Sequence, residues 1–69
     1  MKIGDLVIFT DEGSYAKWFF GKIGIVTSYN DKGTNGPACS VNWIQPVKYM
    51  DRFTSKSNFS ADKFTVYSI

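Results

Sequence analysis

The side chains in this chain that could make or break bonds are few and poorly placed to help one another. Cys39 is the single cysteine and the strongest nucleophile. A thiol attacks as thiolate and needs a base or cation to form it. The chain has no His, so Cys–His and Ser–His–Asp arrangements cannot be assembled. Cys39 lies in an alternating segment, Ala38 to Trp43, where it reads as a small core hydrophobe. Asp5, Asp11 and Glu12 are the acids that could cluster; adjacent turn carboxylates ordinarily face solvent. A zinc site ordinarily takes four Cys or His ligands, and one Cys without His cannot make it. Gly21-Lys22-Ile23-Gly24 is not a phosphate loop, because that loop needs Gly-Lys-Ser/Thr opening a helix. No catalytic residue, metal or cofactor is therefore expected.

Recognition chemistry is better represented. In Lys17-Trp18-Phe19-Phe20-Gly21-Lys22, two cations flank three rings. Rings that stack bases and lysines that follow phosphates are the parts of a single-strand binder. Lys48-Tyr49 and Arg52-Phe53 repeat the pairing. The same rings could instead plug one end of a small core, with lysine stems lying over them. Three consecutive rings cannot all point inward from a strand, so at least one is expected to be exposed or covered by a partner. Tyr15, Trp18, Trp43 and Tyr49 form a second scattered set; aromatics in such segments hold extended, proline-rich peptides in small β domains. Trp43 shares the period of Val41 and equally suits the core. The partner-binding candidates are Tyr15, Trp18, Phe19, Trp43 and Tyr49; Lys17, Lys22, Lys48 and Arg52 are the nucleic-acid alternative.

The elements that must hold these groups are short. Sixty-nine residues make one domain, and such a chain buries only about 60% of its unfolded surface. Twelve aromatic residues, six Phe, four Tyr and two Trp, are its main source of core area. Leu occurs once and Ala three times, and no stretch keeps a 3.6-residue period. β-Branched and aromatic clusters between turn residues predict strands. The first spans 5–10, with Leu6-Val7-Ile8-Phe9 apolar on both faces, as for a strand covered on both sides. Asp11 to Ser14 is a turn. Tyr15 to Phe20 reads as an irregular aromatic loop or a short strand.

Gly21 to Tyr29 is the second strand, where Gly24 marks a bulge or a close backbone approach. Asn30 to Pro37 is a hairpin loop, and Ala38 to Trp43 the third strand, with Cys39, Val41 and Trp43 on one face. Ile44 to Tyr49 is an edge or a short fourth strand, because Pro46 cannot donate to a ladder. Met50 to Asn58 reads as a polar loop, Phe59 to Phe64 as one helical turn capped by Ser60, and Thr65 to Ile69 as the last strand.

Three stretches, in order, resemble a known architecture. Ile3-Gly4-Asp5-Leu6-Val7 resembles the opening of many SH3-like barrels, and Gly21-Lys22-Ile23-Gly24-Ile25-Val26 is similar to a KOW-type strand. Val41-Asn42-Trp43 followed by Phe59 to Val66 resembles the closing half of small barrel proteins of tailed bacteriophages, including marine cyanophages. The resemblance implies an all-β fold: a small five-stranded SH3-like barrel, residues 1–69, with one short 3-10 turn before the last strand. It implies a non-enzymatic binding module. That fold serves peptide binding, nucleic-acid binding and virion structure alike, so it does not choose among them. Tyr15 to Phe20 and Asn35-Gly36-Pro37 exceed the minimal pattern and are where a particular function would sit.

A net charge of +2 permits nucleic-acid contact without arguing for it. The readings are thus a protein partner, then nucleic acid, then a self-associating or virion component. No apolar run approaches the roughly 20 residues that cross a membrane. The unpaired cysteine and the absence of a leader-like N-terminus predict a reducing cytoplasm, the host's for a phage protein, or a virion.

Overall fold

The computed structural model describes residues 1–33 and 36–67. Parts of two predicted elements, residues 34–35 of the hairpin loop and 68–69 of the last strand, lie outside the described residues. The described residues form β1 (Leu6–Phe9), α1 (Ala16–Phe19), β2 (Ile23–Asn30), β3 (Ala38–Tyr49), β4 (Arg52–Ser60), a 3-10 turn (Ala61–Lys63) and β5 (Phe64–Val66). The strands make one antiparallel sheet in the order β4-β3-β2-β1-β5. The all-β expectation and the 3-10 turn before the last strand hold. The sheet does not close into a ring: among the described residues β4 and β5 are its edges, and neither pairs with the other.

The sheet nevertheless bends around one side. Val7, Phe9, Val26, Cys39, Val41, Trp43, Val47 and Phe64 are buried there, joined by Phe19 from α1. Phe9 is at the centre. Its ring centroid lies 5.1 Å from Phe59 of β4, 5.4 Å from Phe64 of β5 and 5.8 Å from Phe19. Strands at opposite edges of the sheet thus meet the same ring. Large rings supply the area that a small chain lacks in aliphatic residues.

Gly24 sits in β2 opposite Val7 on one side and Trp43 on the other. A Cβ there would lie 3.1 Å from the Asn42 carbonyl oxygen, 3.1 Å from Val41 Cβ and 3.3 Å from Trp43 Cε3. The close approach predicted from Gly24 is real: the glycine admits the indole of Trp43. Three residues on, the ladder slips at Thr27, which has no partner between the Val26–Val41 and Ser28–Ser40 pairs. Such a bulge sharpens strand bend and twist.

Four expectations need correction. Ile44 to Tyr49 is not a separate strand but the second half of a twelve-residue β3. Pro46 is tolerated because the β3–β4 register shifts between Asn42–Lys56 and Val47–Thr54, so residues 43–46 have only Ser55 opposite them and no ladder bond to β4 is lost at Pro46. Met50 to Asn58 is not a polar loop: residues from Arg52 onward are β4, paired with β3 across a two-residue turn. Phe59 and Ser60 belong to that strand, and only Ala61–Lys63 forms the helical turn, without a side-chain cap from Ser60. Finally, β1 is covered on one side only. Val7 and Phe9 are buried, whereas Leu6 and Ile8 are half-buried beside their cross-strand partners Ile25 and Ile23.

Candidate functional site: an aromatic groove beside the edge strand

The segment Tyr15 to Phe20, open between loop and strand in the sequence, is a single helical turn. Its backbone amides at Trp18 and Phe19 donate to the Tyr15 carbonyl, and that of Phe20 to Ala16. The turn is anchored upstream by Asp11, whose carboxylate accepts from the Gly13 amide and from Lys63 Nζ. A helical turn separates consecutive side chains by about 100°. That spacing resolves the three-ring problem: Phe19 points into the core, Phe20 faces solvent, and Trp18 lies half-covered along the surface.

Phe19 stacks on Trp43, with centroids 5.3 Å apart and planes at 23°. Both are buried, Phe19 to 2% and Trp43 to 5% exposure. Both are partner-contact candidates from the sequence; the structure buries both, with Phe19 lining the aromatic groove and Trp43 stacked behind it. Trp43 donates its indole N–H to Ser57 Oγ at 3.0 Å, which fixes β4 against β3 and leaves no buried polar atom unsatisfied among the described residues. The other three candidates do come together at the surface. Trp18 meets Tyr49 edge-on at 4.8 Å, and Tyr15 lies 6.2 Å from Tyr49 and 5.4 Å from Phe59.

Three of these rings, Tyr15, Tyr49 and Phe59, line a groove of about 450 Å³, and Trp18 packs beside it on Tyr49. Tyr15, Phe19, Tyr49 and Phe59 supply its apolar lining. Thr54, Lys56, Ser57 and Asn58 supply its other wall, all from β4. Few precisely placed polar groups beside an aromatic floor are the usual make-up of a binding site. None of these four polar residues is a site candidate from the sequence. Ser, Lys and Asn are depleted in strands, and the turn Met50-Asp51 has no glycine to announce a hairpin. The one usable signal was the pair of rings, Phe53 and Phe59, bracketing the polar run.

The four basic candidates do not form one patch. Lys17 holds its ammonium 4.2 Å above the Trp18 ring, beside the groove. Arg52 pairs across the ladder with Tyr49 and so shares its face. Lys48 pairs with Phe53, on the opposite face. Lys22 lines a separate cleft of about 380 Å³ with Ile23, Ile44, Gln45 and Pro46. Lys56 is the cation that lines the groove; of the four candidates, Lys17 and Arg52 belong to its surroundings, one over Trp18 and the other opposite Tyr49. Among the described residues the ion pairs are Lys2–Asp5 and Lys63–Asp11, so none of these three cations is neutralised by an acid.

Cys39 is buried, and burial pushes its thiol up from the ordinary value. The described residues hold no group of three His, Cys, Asp or Glu side chains able to share a metal, and no helix among them is long and apolar enough to cross a membrane. No family model, curated protein or solved structure matches the chain significantly.

Proposed function

We propose that this protein is a non-enzymatic binding module that holds a protein partner in the aromatic groove between α1 and β4. One observation carries the reading: Tyr15 and Trp18 of the α1 turn converge at the surface with Tyr49, distant in sequence, beside a concave site. Rigid rings give much contact area for little lost rotamer freedom, which is why they dominate the centres of interfaces. The fold is read as an SH3-like barrel left open between β4 and β5. That reading is supported by the strand order and by the 3-10 turn joining the two edges. The sequence resemblance to small barrel proteins of tailed phages agrees with it, and would make the partner a host or virion protein met in the host cytoplasm or in the particle.

The test is capture of a partner from host lysate by immobilised protein, repeated with Trp18→Ala and Tyr15→Ala. Loss of a central ring at an interface costs about 1–2 kcal/mol or more, so capture should weaken about tenfold or further. Circular dichroism must show both variants folded. Capture unchanged in both folded variants would remove the groove as the binding face.

A further inference from the structure

The wall of the groove has a property that its rings alone do not explain. Lys56, Ser57, Asn58 and Phe59 are consecutive, and all four line it. Consecutive strand residues point to opposite faces. Ser57 and Phe59 do face inward, opposite Val41 and Cys39, while Asn58 faces outward and its Oδ1 accepts from Ser40 Oγ. Four consecutive residues can line one groove only if the groove runs along the edge of the strand, where every residue presents its backbone.

That edge is open. β4 is nine residues long and pairs only with β3 among the described residues. An unpaired edge offers a row of amides and carbonyls to another strand. From the geometry we infer that the occupant of the groove is an extended acidic peptide segment that adds to β4 as a further strand and lays alternate side chains on Tyr15 and Tyr49. This rests on the groove being the binding site.

The charge pattern selects the occupant. Lys56 lines the groove, Lys17 lies over the neighbouring Trp18 ring and Arg52 is the ladder partner of Tyr49, and none of the three has an acidic partner. A second copy adding through its own β4 would bring Lys56 and Arg52 of both chains together, and like charges across a ladder are destabilising. A lysine on an edge is an ordinary guard against self-pairing. The same lysine favours a strand that carries Asp or Glu. A nucleic acid would satisfy the cations but not the edge, since its backbone has no alternating amide donors and carbonyl acceptors.

The experiment selects short linear peptides from a random displayed library on the folded protein. It then follows amide exchange and shifts of the protein with the selected peptide, and in parallel with single-stranded oligo-dT. The expected result has three parts: enrichment of Asp and Glu, alternate β4 amides between Thr54 and Asn58 slowed about tenfold or more in exchange, and loss of binding on N-methylation of one parity of peptide amides only. Lys56→Glu should abolish the acidic enrichment while leaving the fold unchanged. Peptide shifts at Tyr15 and Tyr49 with β4 exchange unchanged, or N-methylation tolerated at both parities, would overturn strand addition and leave the groove reading standing. Selection of no peptide, with oligo-dT shifting the same rings, would overturn both. Protein-concentration-dependent protection of β4 without peptide would place a second copy on the edge and overturn the proposal.

Discussion

Gly24 shows how one residue type settles a local structure. Its missing side chain is the space in which Trp43 lies, and the nearest obstacles to a Cβ include a backbone carbonyl that cannot swing away. Overpacking of this kind costs about 1–3 kcal/mol, so Gly24→Ala should lower the urea midpoint by the corresponding amount with an unchanged slope. Cys39 is the second residue whose environment decides its behaviour. Burial favours the neutral thiol, so Cys39 disfavours the folded state once pH passes the ordinary thiol value of 9.0 and the unfolded thiol ionises first. Its stabilising share is complete below that value and is lost as pH climbs through the raised folded one. Alkylation by iodoacetamide under native conditions should run on the order of a hundredfold slower than in urea, because it requires opening of the core. Asp5 behaves oppositely. A hydrogen bond from the Lys2 side chain, aided by the Lys2 backbone amide, holds its carboxyl below 3.8. Its share is present above 3.8 and lost as pH falls through the lowered value. In Lys2→Ala, an NMR titration of the Asp5 carboxyl should move back up.

Among the elements, the β3–β4 hairpin departs most from what local sequence suggests. Its turn places Met50 at φ 59°, a left-handed conformation otherwise confined to glycines among the described residues. An L-residue held there costs roughly 1 kcal/mol, and a β-branched one costs more. Met50→Gly should therefore melt above Met50→Val by an amount corresponding to about 1 kcal/mol or more. The cost is tolerated because a long ladder follows, from Tyr49–Arg52 through Ala38–Ser60. The element α1 teaches the reverse lesson. Four residues would not stay helical alone, since helix nucleation is unfavourable. Phe19 packed between Phe9 and Trp43 holds the turn in place. Replacing Phe19 should thus lower the domain's stability and the capture proposed for the groove together, whereas Tyr15→Ala, at the more exposed ring, should lower capture more than stability.

At the scale of the whole molecule, the sheet is held in its bent form by Phe9. A domain of this size has about 3–10 kcal/mol of stability in total. Truncating a buried Phe costs about 3–5 kcal/mol. Phe9→Ala is expected to leave no cooperative thermal transition by circular dichroism, or one lowered by tens of degrees; a native-like melt would mean that the two edges hold together without it.

Much of this molecule was legible in the chain itself. Alternation in Ala38 to Trp43, the Gly24 signal and the turn residues after Phe9 and Tyr29 determined an all-β domain and its first three strands along the chain. These are local properties, written in side-chain period and backbone preference. Tertiary structure decided what locality could not. It turned a polar run into β4, because pairing with β3 outweighed the weak strand preference of Ser, Lys and Asn. It sorted the consecutive rings, sending Phe19 inward and leaving Trp18 at the surface. It also separated the cations, since Lys48 and Arg52 lie four residues apart yet fall on opposite faces across a turn. A groove built from residues 15, 19, 49, 54 and 56 to 59 exists only after the sheet bends, and no pattern along the chain could announce it.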